Sequence, residues 1–393
     1  MEYGNRSTNF SLTIIVLAQF ACTSLWFACN AILPDLQAAY NLPQRALGDL
    51  TSAIQFGFIV GTLVFAIFMV ADRFSPSKVF FVSAMVGSLF NLSILWATDT
   101  TSLFLVRMAT GFFLAGIYPV GMKIAADYHE KGLGRALGYL VGALVLGTAF
   151  PHLVRFFSDT LPWRFVVLST SGLAMTGGLA VALLVPNGPF RKRSAGFDYK
   201  ECLKVFDNKS FRSAAFGYFG HMWELYTFWA FVPVMLTLYN TQEQADVLDI
   251  RIWSFAIIAV GGISCVIGGL WSEKVGSKRV ALYALACSGL CCLLSLLAFQ
   301  LPPALFVVFL LVWGMTVIAD SPQFSTLVAQ AAPAEYKGTA LTIVNSIGFA
   351  ITIVSLQVMN LITQHVDGKL IYVVLAIGPL FGLIALGRKN AIA

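Results

Sequence analysis

Residues 102–125 read SLFLVRMATGFFLAGIYPVGMKIA, and residues 304–328 read ALFVVFLLVWGMTVIADSPQFSTLV. Each is long enough to cross a hydrocarbon core of about 30 Å, which takes roughly 20 residues in a helix. Each carries one ionisable residue deep in an otherwise apolar run, Arg107 in the first and Asp320 in the second. They also align: Gly111 matches Gly314 and Pro119 matches Pro322, both pairs 203 residues apart. Two such stretches at one offset predict a membrane protein built from two similar halves.

Counting outward from these two stretches predicts twelve spans. The first half holds 11–34, 47–71, 79–98, 102–125, 136–156 and 165–185, and the second holds 212–237, 251–271, 280–299, 304–328, 339–362 and 370–387. The expected fold is all-α: two pseudo-symmetric six-helix bundles, 1–185 and 212–393, joined by a polar, basic linker at 186–211. Composition agrees. The chain is 58% hydrophobic and 11% charged, with mean hydropathy +0.80, whereas soluble domains run about 45–50% apolar and about 25% charged. Lipid removes the need for a polar surface.

The net charge of +6 is no nucleic-acid footprint, because the basic residues fall in short segments between spans. With the N-terminus in the cytoplasm, nineteen of the 25 Lys and Arg face inward, five face outward and Arg107 is intramembrane. The positive-inside rule therefore supports an even number of spans with both termini cytoplasmic. Short loops without an appended domain suggest a bacterial inner membrane, and a monomer is expected. The seven cysteines lie mostly within apolar runs, with no CxxC and no metal-ligand spacing. Neither a cofactor nor a metal is expected.

The repeat extends beyond the opening pair. Asp72-Arg73 and Glu273-Lys274 close the second and eighth spans, 201 residues apart, and Gly134-Arg135-Ala136-Leu137 matches Gly338-Thr339-Ala340-Leu341 at an offset of 204. These residues resemble the major facilitator superfamily. Its loop pattern G-x-x-x-D-R-x-G-R-K is met well by Gly269, Glu273, Lys274, Gly276 and Lys278. The first copy keeps Asp72 and Arg73, with Phe68 and Ser75 at the glycine positions. Arg107 and Gly111 resemble the family's R-x-x-x-G, and Gly138, Gly142, Gly147 and Pro151 a loose form of its glycine-rich fifth-helix motif. The resemblance implies a transporter with a binding site between parallel repeats. It implies that spans 1, 4, 7 and 10 line the cavity, and that Asp72, Arg73, Arg135, Glu273 and Lys274 gate it.

An ionisable side chain deep in a membrane costs several kcal/mol and is a functional hypothesis by default. Those well inside spans are Arg107, His221, Glu224 and Asp320, all on spans 4, 7 and 10. Helical spacing groups them with other residues into stripes: Gln19, Thr23, Trp26 and Asn30; Arg107, Gly111, Leu114 and Tyr118; Gly217, His221, Glu224 and Phe228; Trp313, Thr316, Asp320 and Gln323. The expected substrate contacts are Trp26, Asn30, Arg107, Tyr118, His221, Glu224, Asp320 and Gln323. A carboxylate whose surroundings alternate between dry and wet can take up and release a proton, so Glu224 and Asp320 are the expected proton carriers. The plainer reading is that Gln19, Thr23 and Thr316 are helix-packing residues, that Arg107 snorkels or makes a structural contact, and that His221 only hydrogen-bonds to Glu224.

These residues predict a secondary transporter that moves a small anionic or zwitterionic solute by alternating access coupled to protons. Efflux of amphipathic or cationic compounds is the alternative, favoured by Trp223, Tyr226 and Trp229 beside Glu224. A non-transporting membrane sensor is a remote third reading. HExxH, GxSxG and P-loop patterns are absent from the sequence, so neither an enzyme nor ATP drive is indicated.

Overall fold

The computed structural model describes residues 2–129, 133–158, 160–191, 205–333, 337–365 and 368–387, and among these there is no strand. All twelve predicted spans are present as helices or interrupted helices. Ten of them are long and apolar enough to cross a membrane. The other two are spans 1 and 7, whose apolar character is diluted by a break and by polar residues respectively. Span 7 is the longest helix, Lys209–Glu243, started by Asn208, whose Oδ1 accepts from the Ser210 and Phe211 amides.

The interruptions fall where the backbone chemistry requires them. Span 4 consists of Thr100–Leu114 and Tyr118–Tyr128, and span 10 of Pro303–Ala319 and Ser321–Ala331. In each the second piece starts just before the matched proline, Pro119 or Pro322. Proline lacks an N–H and its ring collides with the carbonyl four residues back, so the ladder breaks there. Span 1 breaks without proline or glycine. Its helix Glu2–Thr23 gives way to a turn at 24–27, followed by Ala28–Ala31 and Leu33–Tyr40.

Spans 2 and 4 touch through their backbones. A Cβ added to Gly111 would stand 1.9 Å from the Ile54 carbonyl oxygen, and one added to Gly57 would stand 1.8 Å from that of Met108. The second half repeats the seam: a Cβ on Gly314 would stand 2.0 Å from the Ile257 carbonyl oxygen. Ile54 and Ile257 are 203 residues apart, the offset that relates Gly111 to Gly314. The internal repeat is thus a repeat of contacts as well as of letters. In lipid, helices associate by close packing rather than by a hydrophobic drive, which is why small residues occupy such seams.

The chain divides into two compact units, Met1–Phe197 and Asp198–Ala393. In the first, residues 186–191 are fastened to the basic end of the bundle. The Phe190 amide donates to the Asp127 carbonyl at 2.9 Å, and Arg191 donates to the carbonyls of Asp72 and Phe74 at 3.0 and 2.8 Å. The degenerate loop motif also finds an explanation. Gly276 adopts φ +88, which glycine tolerates best, whereas Ser75 in the first copy has φ −61 and the left-handed turn has moved to Met69 at φ 50.

Candidate functional site

The freed carbonyls of the span 1 break decide where Arg107 goes. Its Nη1 donates to the Leu25 carbonyl at 3.0 Å and its Nη2 to the Trp26 carbonyl. Nη1 also reaches Asn91 Oδ1 at 3.5 Å, and Asn91 in turn donates to Ser171 Oγ at 2.9 Å and Thr170 Oγ1 at 3.4 Å. Arg107 is fully buried. Its planar fork matches two successive orphan carbonyls, so the cation holds the broken helix to span 4.

The break also divides the expected span 1 stripe, because i, i+3 and i+4 positions share a face only in a continuous helix. Thr23 Oγ1 donates back to the Gln19 carbonyl at 2.8 Å and lies against Gly147 of span 5. Gln19 lies against Gly121 of span 4. Trp26 meets Phe58 of span 2, ring centroids 5.0 Å apart. Asn30 donates to Thr51 Oγ1 of span 2 at 3.0 Å. The span 4 stripe is divided likewise: Gly111 faces span 2, Arg107 faces span 1, and Tyr118, half-buried, opens the second helix piece.

In the second unit the two intramembrane carboxyl groups, Glu224 and Asp320, are both buried. Glu224 accepts from three side chains: Trp313 Nε1 at 2.7 Å, Ser288 Oγ at 2.9 Å and Cys292 Sγ at 3.2 Å. Ser288 and Cys292 are one turn apart on span 9, and the Trp313 ring lies 4.5 Å from that of Phe228, centroid to centroid. One turn before Glu224, His221 Nδ1 lies 2.8 Å from Asp320 Oδ1, an ion-pair contact when the imidazole is protonated. Asp320 occupies the break of span 10, between its two helix pieces. Tyr218 and Phe324 flank the imidazole at 5.8 and 5.9 Å. Glu224, His221 and Asp320 are each 1% exposed, so none points outward. Gln323 is buried too, near Gly268 of span 8.

Of the expected gating residues, Asp72 has an ion-pair partner. Lys123 Nζ lies 2.9 Å from Asp72 Oδ1 and 3.9 Å from Asp127 Oδ1. Arg73, Glu273 and Lys274 are exposed. The Arg135 side chain lies outside the described residues. The sequence reading missed Ser288 and Cys292, because span 9 carries no charge and its cysteines read as apolar filler. It also missed Gln55, the single carboxamide in LTSAIQFGFIV of span 2.

Residues 15–387 match the family model of the Major Facilitator Superfamily. The chain belongs to this superfamily. Membership places it in a superfamily of integral, multi-pass transporters rather than of enzymes. It is 27% identical over 157 residues to the efflux pump FUB11 of Gibberella moniliformis, covering 39% of this chain and 26% of that protein. It is 22% identical over 185 residues to the inner membrane transport protein YdhP of Escherichia coli, covering 46% of each. The chain thus spans less than half the length of these curated relatives. The crystal structure of the human organic anion transporter MFSD10 superposes with TM-score 0.75 at 14% identity, covering 96% of this chain and 99% of that one. At that identity the likeness speaks for the superfamily fold alone.

Proposed function

We propose that this superfamily member is a proton-coupled secondary transporter of a small organic solute, working by alternating access, with Glu224 and Asp320 as its proton carriers. The carboxylate cage around Glu224 carries this reading. Ser288 Oγ has two acceptors within reach, Glu224 Oε2 at 2.9 Å and the Leu285 carbonyl at 3.3 Å. A hydroxyl both donates and accepts. When Glu224 is ionised, Ser288 donates to it; when Oε2 takes a proton, Ser288 turns to Leu285 and accepts. Both forms are then satisfied without moving the backbone, while Trp313 and Cys292 hold Oε1 throughout. Asp320 has His221 Nδ1 as its partner at 2.8 Å in either form: as an N–H it donates to the carboxylate, and as a bare ring nitrogen it accepts from the protonated acid.

Both termini are assigned to the cytoplasm on the sorting of basic residues, and the name of YdhP supports a bacterial inner membrane. The Asp72–Lys123 pair then lies at the cytoplasmic end of the first unit, which supports a gating role for it. The name of FUB11 supports export. An anionic or zwitterionic cargo was expected from Arg107 as an open anchor. With both Nη atoms on span 1 carbonyls that support is withdrawn, and the three donors on Glu224 remove the anchor for a cation.

The test is proton-driven accumulation in reconstituted vesicles, using a solute found by thermal-shift screening at two pH values. Glu224→Gln and Asp320→Asn are each expected to abolish accumulation against a gradient while leaving binding intact. Wild-type accumulation in both variants would remove the carriers from the proposal.

A further inference from the structure

We infer that the first unit holds its cargo through two neutral carboxamides, Gln19 and Gln55, and that the transported solute is an uncharged, ring-bearing molecule with both hydrogen-bond donors and acceptors. This rests on the proposed transport of a small organic solute and adds the class of that solute.

The charged groups of the membrane interior are spent on the protein itself. Arg107 serves the Leu25 and Trp26 carbonyls, Glu224 has donors on both oxygens, and Asp320 is matched by His221. The neutral groups are a different case. Gln19 and Gln55 are each 0% exposed, and none of their four amide atoms has a hydrogen-bond partner. Each carboxamide brings two N–H donors and an oxygen with two lone pairs, and burying these unmet is costly.

Helix-packing glue does not account for them. Glue residues in membranes bond across the seam, and three of the chain's buried asparagines have hydrogen-bond partners of their own. Asn91 donates to Thr170 and Ser171, Asn30 to Thr51, and Asn240 to the Leu248 carbonyl. Only the two glutamines, among these, are left without a protein partner.

Their placement outlines a ligand. On span 2, Gln55, Phe58 and Thr62 lie at i, i+3 and i+7 and share a face. Thr62 Oγ1 is likewise buried without a partner. Phe58 meets Trp26 of the span 1 break, and Gln19 lies in the helix before that break, against Gly121 of span 4. Gln55 and Thr62 are about 10 Å apart along the continuous helix Ala46–Ile67. An aromatic pair is therefore flanked along span 2 by neutral polar groups, Gln55 on one side and Thr62 on the other. A molecule with a flat apolar face and neutral polar groups toward its two ends, of nucleoside or aryl-glycoside size, complements that frame. Gly121 packs closely against Gln19: a Cβ there would stand 2.7 Å from Gln19 Oε1.

The experiment uses the full-length protein in detergent with four probes: uridine and phenyl β-D-glucoside as neutral ring compounds, benzoate as an anion and tetraphenylphosphonium as a cation. At least one neutral probe is expected to raise the melting midpoint, and the charged probes are not. Gln55→Met and Gln19→Met are expected to weaken neutral-probe binding at least tenfold while raising the midpoint of the empty protein, since the isostere removes unmet polar atoms. Thr62→Val gives a third, milder variant, expected to shift both readouts in the same directions. Stabilisation by a charged probe alone, by no probe, or undiminished neutral binding in the Met variants would overturn the inference. So would a lower midpoint in the empty Met variants, which would mark the amides as structural. Glu224→Gln separates the two proposals: it is expected to bind the neutral probe normally and to lose accumulation. If it accumulates normally, the proton assignment to Glu224 fails and the carboxamide site stands.

Discussion

Replacing Gly111 with alanine adds one methyl group where the structure has none to spare. The new Cβ would stand 1.9 Å from the Ile54 carbonyl oxygen, and real Cβ contacts essentially never fall under 3.0 Å, so spans 2 and 4 must part by at least 1.1 Å. The obstructing atom is backbone and cannot swing aside as a side chain would. Gly57 against the Met108 carbonyl, in the same seam, leaves no room to slide. Overpacking of this kind costs about 1–3 kcal/mol, opposed by about 1 kcal/mol from alanine's better helix propensity. Because backbone must move, the upper part of the range applies, and a net loss of about 2 kcal/mol is expected. For a unit of this size that lowers the melting midpoint by about 4–8 °C. Tryptophan fluorescence during heating in detergent measures it. Gly314→Ala, whose Cβ would stand 2.0 Å from the Ile257 carbonyl oxygen, should behave alike. Gly138→Ala is the control, since nothing lies within 4 Å of its added Cβ, and its midpoint should hold or rise. If Gly111→Ala melts like wild type, or if Gly138→Ala loses as much as Gly111→Ala, the close-seam reasoning is refuted.

Three further outcomes are expected. Trp313→Phe removes the Nε1–H that lies 2.7 Å from Glu224; losing a hydrogen bond to a charged group should cost about 1.5–3 kcal/mol, read as a lower melting midpoint that Glu224→Gln in the same background largely restores. Asp72→Asn breaks an ion pair to Lys123 that is about a quarter exposed, so stability should change by less than about 1 kcal/mol. Ligand affinity should stay within twofold while the transport rate changes, and normal rates at every substrate level would count against gating. Asp99, in the loop before Thr100–Leu114, accepts from the Ser102 amide, which holds its carboxyl below the ordinary carboxylate range. Because the folded value is the lower one, its contribution is present above the unfolded value near ~4 and fades as pH falls through the folded value. Exchange of the Ser102 amide hydrogen, corrected for intrinsic rate, should accelerate below that point.

The spans were legible because lipid imposes length and apolarity on every helix, a constraint written residue by residue. The matched breaks of spans 4 and 10 were half legible. Pro119 and Pro322 stood out as landmarks, and the chemistry of proline says what they do. The break of span 1 was not legible, since Ser24-Leu25-Trp26-Phe27 contains no helix breaker. Its stability comes from Arg107, 81 residues from Trp26 and on another helix. Continuous-helix periodicity therefore misassigned the faces of Gln19, Thr23, Trp26 and Asn30. Glu224 announced itself as a carboxylate in lipid. Two of its three donors, Ser288 and Cys292, come from a helix with no ionised residue in its apolar stretch, and no local pattern points there.

The two units keep one packing scheme and have diverged in what they bury. Gly111 on Ile54 and Gly314 on Ile257 are the same contact at the same offset. Within the spans, the first unit retains one deep cation, used to close a helix break, and unmet neutral amides. The second buries His221, Glu224 and Asp320, groups whose charge can change. A neutral carboxamide recognises a solute without responding to protonation, and a caged carboxylate responds to protonation with little left over for a solute. Had both tasks fallen to the same side chains, cargo and proton would compete for the same lone pairs. On the proposed assignments, placing them on different copies of one scaffold lets each be met by chemistry suited to it, and requires only that the two copies change state together for the two to be coupled.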